Sequence, residues 1–103
     1  MTHFNGLSPA EAERLALLLE EAGEVVQAVG KILRHGYEST HPNSGYTNRE
    51  DLARELADLQ VAVSMMSRAG DIRLLDVDEW AREKRVRVSR YLHHQDALTG
   101  EPE

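Results

Sequence analysis

Four carboxylates carry the chemistry that can be read from this chain. They are Glu21 and Glu24 in Glu20-Glu21-Ala22-Gly23-Glu24, and Glu55 and Asp58 in Glu55-Leu56-Ala57-Asp58. Each pair is spaced i,i+3, which on an α-helix brings both side chains to one face, one turn apart. Both pairs sit among residues of core type: Leu17, Leu18, Leu19, Val25 and Val26 around the first, Leu52, Leu59, Val61 and Val63 around the second. Charge in apolar surroundings is costly unless something compensates it. Four or five acids converging from two helices repel one another. A hard divalent cation, Mg²⁺ or Mn²⁺, is the usual compensation for an all-oxygen ligand set.

The elements that must position these acids are helices. Ser8-Pro9-Ala10-Glu11 predicts a helix start, with Ser as N-cap, Pro in the first turn and Glu closing a capping box. Leu15, Leu18, Leu19, Ala22, Val25, Val26, Val29, Ile32 and Leu33 then recur at helical spacing as far as His35-Gly36, where Gly suits a C-cap. Gly23 and Gly30 share a side, which fits either close approach of a neighbouring helix or a break near Gly30. Residues 36–47 lack apolar periodicity and read as a loop, long for so small a domain and therefore functional or disordered. Thr47 or Asn48 opens a second helix to about Ala69, with Gly70 beyond it. Asp76 with Glu79 opens a third, through Trp80, Val86 and Val88 to Leu92; Trp80 is expected in the core or at a subunit contact. At about 100° per residue, Glu55 and Asp58 fall on the flank of the second helix's apolar arc with Val61, Ala62 and Met65. Its polar side holds Ala53, Gln60, Ser64 and Ser67. Glu21 lies at the margin of the first helix's apolar face, in line with Val25 and Ile32. The expectation is an all-α fold: a single domain over residues 1–103, an antiparallel bundle of three to four helices, with frayed tails at about 1–7 and 96–103.

Composition narrows the function. A net charge of −6 in 103 residues argues against general affinity for nucleic acid or an anionic membrane. The chain has no cysteine, hence no disulfide or thiolate site. It shows no signal-peptide pattern, and no apolar run approaches the roughly 20 residues that cross a bilayer; a soluble, cytoplasmic protein is expected. A chain this small is often helped by oligomerisation. A di-iron bundle would need Glu-x-x-His on two helices, and only Glu38-Ser39-Thr40-His41 has that spacing, in the loop before Pro42. His3, His35, His93 and His94 form no ligand set and read as exposed or terminal. Glu11, Glu13, Glu50, Glu79 and Glu83 read as solvated.

The paired acids resemble the motif of the MazG-like nucleoside triphosphate pyrophosphohydrolases, an all-α superfamily marked by E-x-x-E on one helix and E-x-x-D on the next. Here Glu20-Glu21-Ala22-Gly23-Glu24 is followed after thirty residues by Glu55-Leu56-Ala57-Asp58. The resemblance runs from about residue 10 to 92, and the length is similar to that of single-domain members from bacteria and phages. It implies hydrolysis of a (deoxy)nucleoside triphosphate between the α and β phosphates, giving the monophosphate and pyrophosphate. It implies two or three Mg²⁺ or Mn²⁺ ions on Glu21, Glu24, Glu55 and Asp58, with Glu20 as a further ligand or the group orienting the water. Phosphoryl transfer needs its developing charge neutralised and a water placed in line, which clustered cations supply. The resemblance also implies basic residues near the triphosphate, often across a dimer interface. Lys31, Arg34, Lys84 and Arg85 are the candidates, with Asn43 reaching a sugar or base edge. Family members commonly carry Lys followed a turn later by Asn on the later helix; this chain has Val88 and Arg87 there. Related pyrimidine-specific enzymes carry aromatic residues around the motif helices where this chain has Lys31 and Ala62, which favours a purine such as dGTP or GTP. A homo-dimer or tetramer is implied. Two other readings stay open: phosphoribosyl-ATP as substrate, and a non-enzymatic helical module whose acids bind a structural cation or a basic partner.

Overall fold

The computed structural model describes residues 4–95. Three helices follow one another: α1 over Pro9–His35, α2 over Asn48–Ala69 and α3 over Leu74–Val88. Among the described residues there is no strand, only one isolated bridge pairing Thr40 with Thr47. The class is all-α, as the periodicity predicts. Of the expected frayed tails, residues 1–3 and 96–103 lie outside the described residues.

The ends of α1 and α2 follow from side-chain chemistry. The Ser8 hydroxyl accepts from the Glu11 N–H at 3.1 Å, and the Glu11 carboxylate accepts from the Ser8 N–H at 2.8 Å. Each contact satisfies a donor that helix geometry leaves without a partner. Thr47, not Asn48, performs the same exchange with Glu50 at the start of α2. Asn48 is buried, and its side-chain N–H donates to the Gly36 carbonyl at 3.0 Å. It ties the end of α1 to the start of α2. At the far end of α2, Gly70 adopts a left-handed conformation at φ 85°, which an L side chain resists.

α1 and α2 pack against each other within residues 1–71, the first of two compact units. They run antiparallel. Arg14, near the start of α1, holds Asp71, just past the end of α2, through two bonds of 2.6 and 3.0 Å, while Asn48 and Gly36 meet at the other end. Along the seam, buried and half-buried positions include a series at alternating steps of three and four. On α1 they are Arg14, Leu18, Glu21, Val25, Ala28 and Ile32; on α2 they are Asn48, Leu52, Glu55, Leu59, Ala62 and Met66. This is the pattern of two helices sharing one apolar seam. Glu21 and Glu55 are therefore members of the packing interface, not surface decoration.

Several expectations need correction. Leu19, Val26 and Val61, read as core, are 76%, 71% and 57% exposed. A single partner helix covers one narrow stripe, and the apolar arcs of α1 and α2 are wider than that. α1 continues unbroken through Gly30. Among the described residues a Cβ at Gly23 or Gly30 would meet no atom within 4 Å, so none of them requires glycine there.

Residues 72–103 form the second unit. Its helix begins two residues before Asp76, with Arg73 as an N-cap that makes no side-chain bond, and it ends at Val88, short of Leu92. α3 buries none of its residues, and Trp80 is exposed rather than in a core of this chain.

Candidate functional site

The seam gathers the four acids. One carboxylate oxygen from each of Glu21, Glu24, Glu55 and Asp58 lies within 4.8 Å of all the others. Oxygens on opposite sides of a six-coordinate Mg²⁺ stand about 4.2 Å apart, from bond lengths near 2.1 Å, so the quartet is close to ligating separation. Glu21, Glu24 and Glu55 are half-buried and Asp58 is exposed, which leaves the quartet open on one side.

The donor set fits a hard cation on a second count. Oε2 of Glu21 and Oε2 of Glu55 are buried and have no hydrogen-bond partner among the described residues. Buried acceptors are normally satisfied, and a divalent cation between these groups would satisfy both. The electrostatics agree. The Glu55 carboxyl is pushed up to about 7, first by the hydrogen bond it shares with the Glu24 carboxylate, then by lost solvation and by the charges of Glu24, Asp58 and Glu21. Glu21 is also raised, mainly by lost solvation and then by Glu24, Asp58 and Glu20. Glu20 is exposed and lies outside the quartet, and its charge helps to raise Glu21.

Beside the quartet, a cleft of about 240 Å³ is lined by Glu24, Glu55, Lys31, His41, Asn48 and Asp51, among others. A second, of about 290 Å³, is lined by Lys31, Arg34, His35, Thr40, His41 and Asn48 together with Ser39 and Pro42. Lys31, His41 and Asn48 belong to both. Lys31 stands seven residues after Glu24, about 10 Å along the helix, and Arg34 three residues further. The two clefts thus run from an acidic end, whose residues could hold a cation, to a basic end, the polarity that a metal-complexed polyphosphate requires.

Of the nucleotide-contact candidates, Lys31 lines both clefts and Arg34 the second. Asn43 lines neither; its backbone N–H donates to His41 Nδ1 at 3.1 Å. Lys84 and Arg85 are exposed on α3, in the second unit. Ala62 is fully buried and presents no surface to a base, so its small size cannot bear on base preference by contact. Sequence reasoning missed His41, Asn48 and Asp51. A signal existed for two of them, since Asn48, Asp51 and Glu55 follow at i, i+3 and i+7 on one face. His41 had none, because only the path of the loop brings it to the groove.

Acids gathered by an antiparallel helix pair beside a basic groove define an all-α protein equipped to hold a divalent cation and a phosphorylated ligand. The model of the MazG nucleotide pyrophosphohydrolase domain matches residues 10–93, and the chain belongs to that family. It is thereby an enzyme of the nucleoside triphosphate pyrophosphohydrolase class, in a family that is metal-dependent. No curated protein and no solved structure gives a significant match. Among the described residues, no helix is long and apolar enough to cross a membrane.

Proposed function

We propose that this enzyme hydrolyses a (deoxy)nucleoside triphosphate between the α and β phosphates, releasing pyrophosphate, with a purine triphosphate such as dGTP or GTP preferred. Glu21, Glu24, Glu55 and Asp58 hold Mg²⁺ or Mn²⁺, two to three ions per site. The observation that carries this reading is the four-carboxylate cluster with two orphaned oxygens, opening onto a groove that ends at Lys31 and Arg34. When bound, the cations supply charge neutralisation on the transferring phosphoryl group and activation of the attacking water.

The chain's own residues do the rest. Glu55, whose carboxyl is raised in the cation-free cluster, must be ionised to ligate, so cation affinity rises with pH. Lys31 and Arg34 neutralise the β and γ phosphates and fix the register of the chain in the groove. Glu20 orients water at the rim of the quartet. Asn43, Lys84 and Arg85 contact the nucleotide, from the same copy or from a partner. The working form is a cytoplasmic homo-dimer or tetramer. Leu19, Val26 and Leu33, spaced at seven residues and 76%, 71% and 82% exposed, support it, because an apolar heptad stripe is the pattern that pairs with another helix.

The test is a panel of eight (d)NTPs and phosphoribosyl-ATP, assayed for pyrophosphate with Mg²⁺ and with Mn²⁺. At least one nucleoside triphosphate is expected to yield its monophosphate and pyrophosphate, and Glu24→Gln to abolish this while the helical circular dichroism persists. Turnover of phosphoribosyl-ATP alone would reassign the substrate. Silence across the panel would leave the non-enzymatic module.

A further inference from the structure

We infer that His41 contacts the substrate, donating a hydrogen bond from Nε2–H to the phosphate chain where it passes from the acidic quartet towards Lys31. This rests on the pyrophosphohydrolase reading and adds to it a residue from outside the motif helices.

His41 lines both clefts, sharing the first with Glu24 and Glu55 and the second with Arg34. Among residues 36–46 it alone is not exposed. One hydrogen bond orients the ring. Nδ1 accepts from the Asn43 N–H at 3.1 Å, so a neutral imidazole carries its proton on Nε2, and the nitrogen left for a ligand is a donor. The backbone is fixed as well. The His41 N–H donates to the Tyr46 carbonyl and its own carbonyl accepts from the Gly45 N–H, both at 3.2 Å. Buried Asn48 holds the loop to α2 at two points, its backbone N–H on the Ser39 carbonyl at 2.8 Å and its side chain on the Gly36 carbonyl. Donors held in place before binding lose little freedom when a polyphosphate docks, and hydrogen bonds to charged acceptors are the strong ones. At the junction of the two clefts the loop adds this donor to Lys31 of α1 and Asn48 of α2.

The experiment compares the wild-type enzyme, His41→Ala and His41→Gln, which keeps an N–H near the position of Nε2. For each, kcat and KM are measured with the best triphosphate, with product inhibition by inorganic pyrophosphate and by the nucleoside monophosphate under saturating Mg²⁺. His41→Ala should raise KM and the inhibition constant of pyrophosphate about tenfold or more, with the monophosphate constant moving less than about twofold. His41→Gln should recover most of the loss. The inference is overturned if His41→Ala leaves KM and pyrophosphate inhibition unchanged. It is equally overturned if both products weaken alike and Gln restores nothing, which marks a collapsed loop. A wild-type enzyme that turns over no triphosphate defeats the parent reading, and an active wild type beside an unaffected His41→Ala defeats this one alone.

Discussion

Replacing Glu55 by Gln should stabilise the cation-free protein and cost it the stabilisation that cations give. In the folded chain the Glu55 carboxyl is pushed up to about 7, through its bond to Glu24, its burial and the neighbouring charges; in the unfolded chain it titrates near 4.3. The folded state therefore binds the proton more tightly. Stability without cations is highest below the unfolded value, falls as pH rises through the interval from about 4.3 to about 7, and is flat above it. Each pH unit of such a displacement is worth at most ~1.4 kcal/mol. The quartet is open to water on one side, so screening removes most of that, and a net effect on the order of 1 kcal/mol remains. Gln is neutral and nearly isosteric. Thermal melts in EDTA at pH 8 should place Glu55→Gln above the wild type by about 4–8 °C, with the gap closing by pH 4.5. With Mg²⁺ or Mn²⁺ at a hundred times its dissociation constant, the wild type should gain about 2.7 kcal/mol and overtake the variant. A Glu55→Gln protein that melts below the wild type in EDTA at pH 8, or by the same margin at both pH values, would refute the crowding argument.

Two further perturbations probe the scaffold. Ala62 has no exposed surface, so Ala62→Leu must push α1 and α2 apart. It should cost about 1–3 kcal/mol in thermal unfolding and weaken Mn²⁺ binding in a titration, although residue 62 ligates nothing. Val26→Glu, at the centre of the exposed α1 stripe, should reduce the assembly to a smaller species in sedimentation velocity while helical circular dichroism is retained.

The helices and the quartet were legible because both depend on local repeats. The capping box at Ser8, a cap at Thr47 or Asn48, glycines after α1 and α2, and i,i+3 spacing are short-range signals that tertiary structure had no reason to override. What stayed hidden depends on contacts distant in sequence. The core assignment failed at Leu19, Val26 and Val61 because periodicity shows which face of a helix is apolar, not how much of that face one neighbour can cover. His41 was hidden because residues 36–47 have no period to extrapolate. Its place in the groove is set by Asn48 and by bonds to Gly45 and Tyr46, a fold-back that composition does not encode. The start of α3 was misplaced because Asp76 and Glu79 resemble a cap, whereas Arg73, which occupies the N-cap, offers no side-chain signal.

Mn²⁺ binding followed by electron paramagnetic resonance tests the central claim most directly. The free aqueous ion gives a sharp signal that disappears on coordination by protein carboxylates. Wild-type protein at pH 8 should deplete that signal, and Glu24→Gln, Glu55→Gln and Asp58→Asn should each weaken the depletion at least tenfold, while Glu79→Gln on α3 leaves it unchanged. If the wild type leaves the signal intact, or if all four variants bind as it does, these acids do not meet around a cation and the account of the site is wrong.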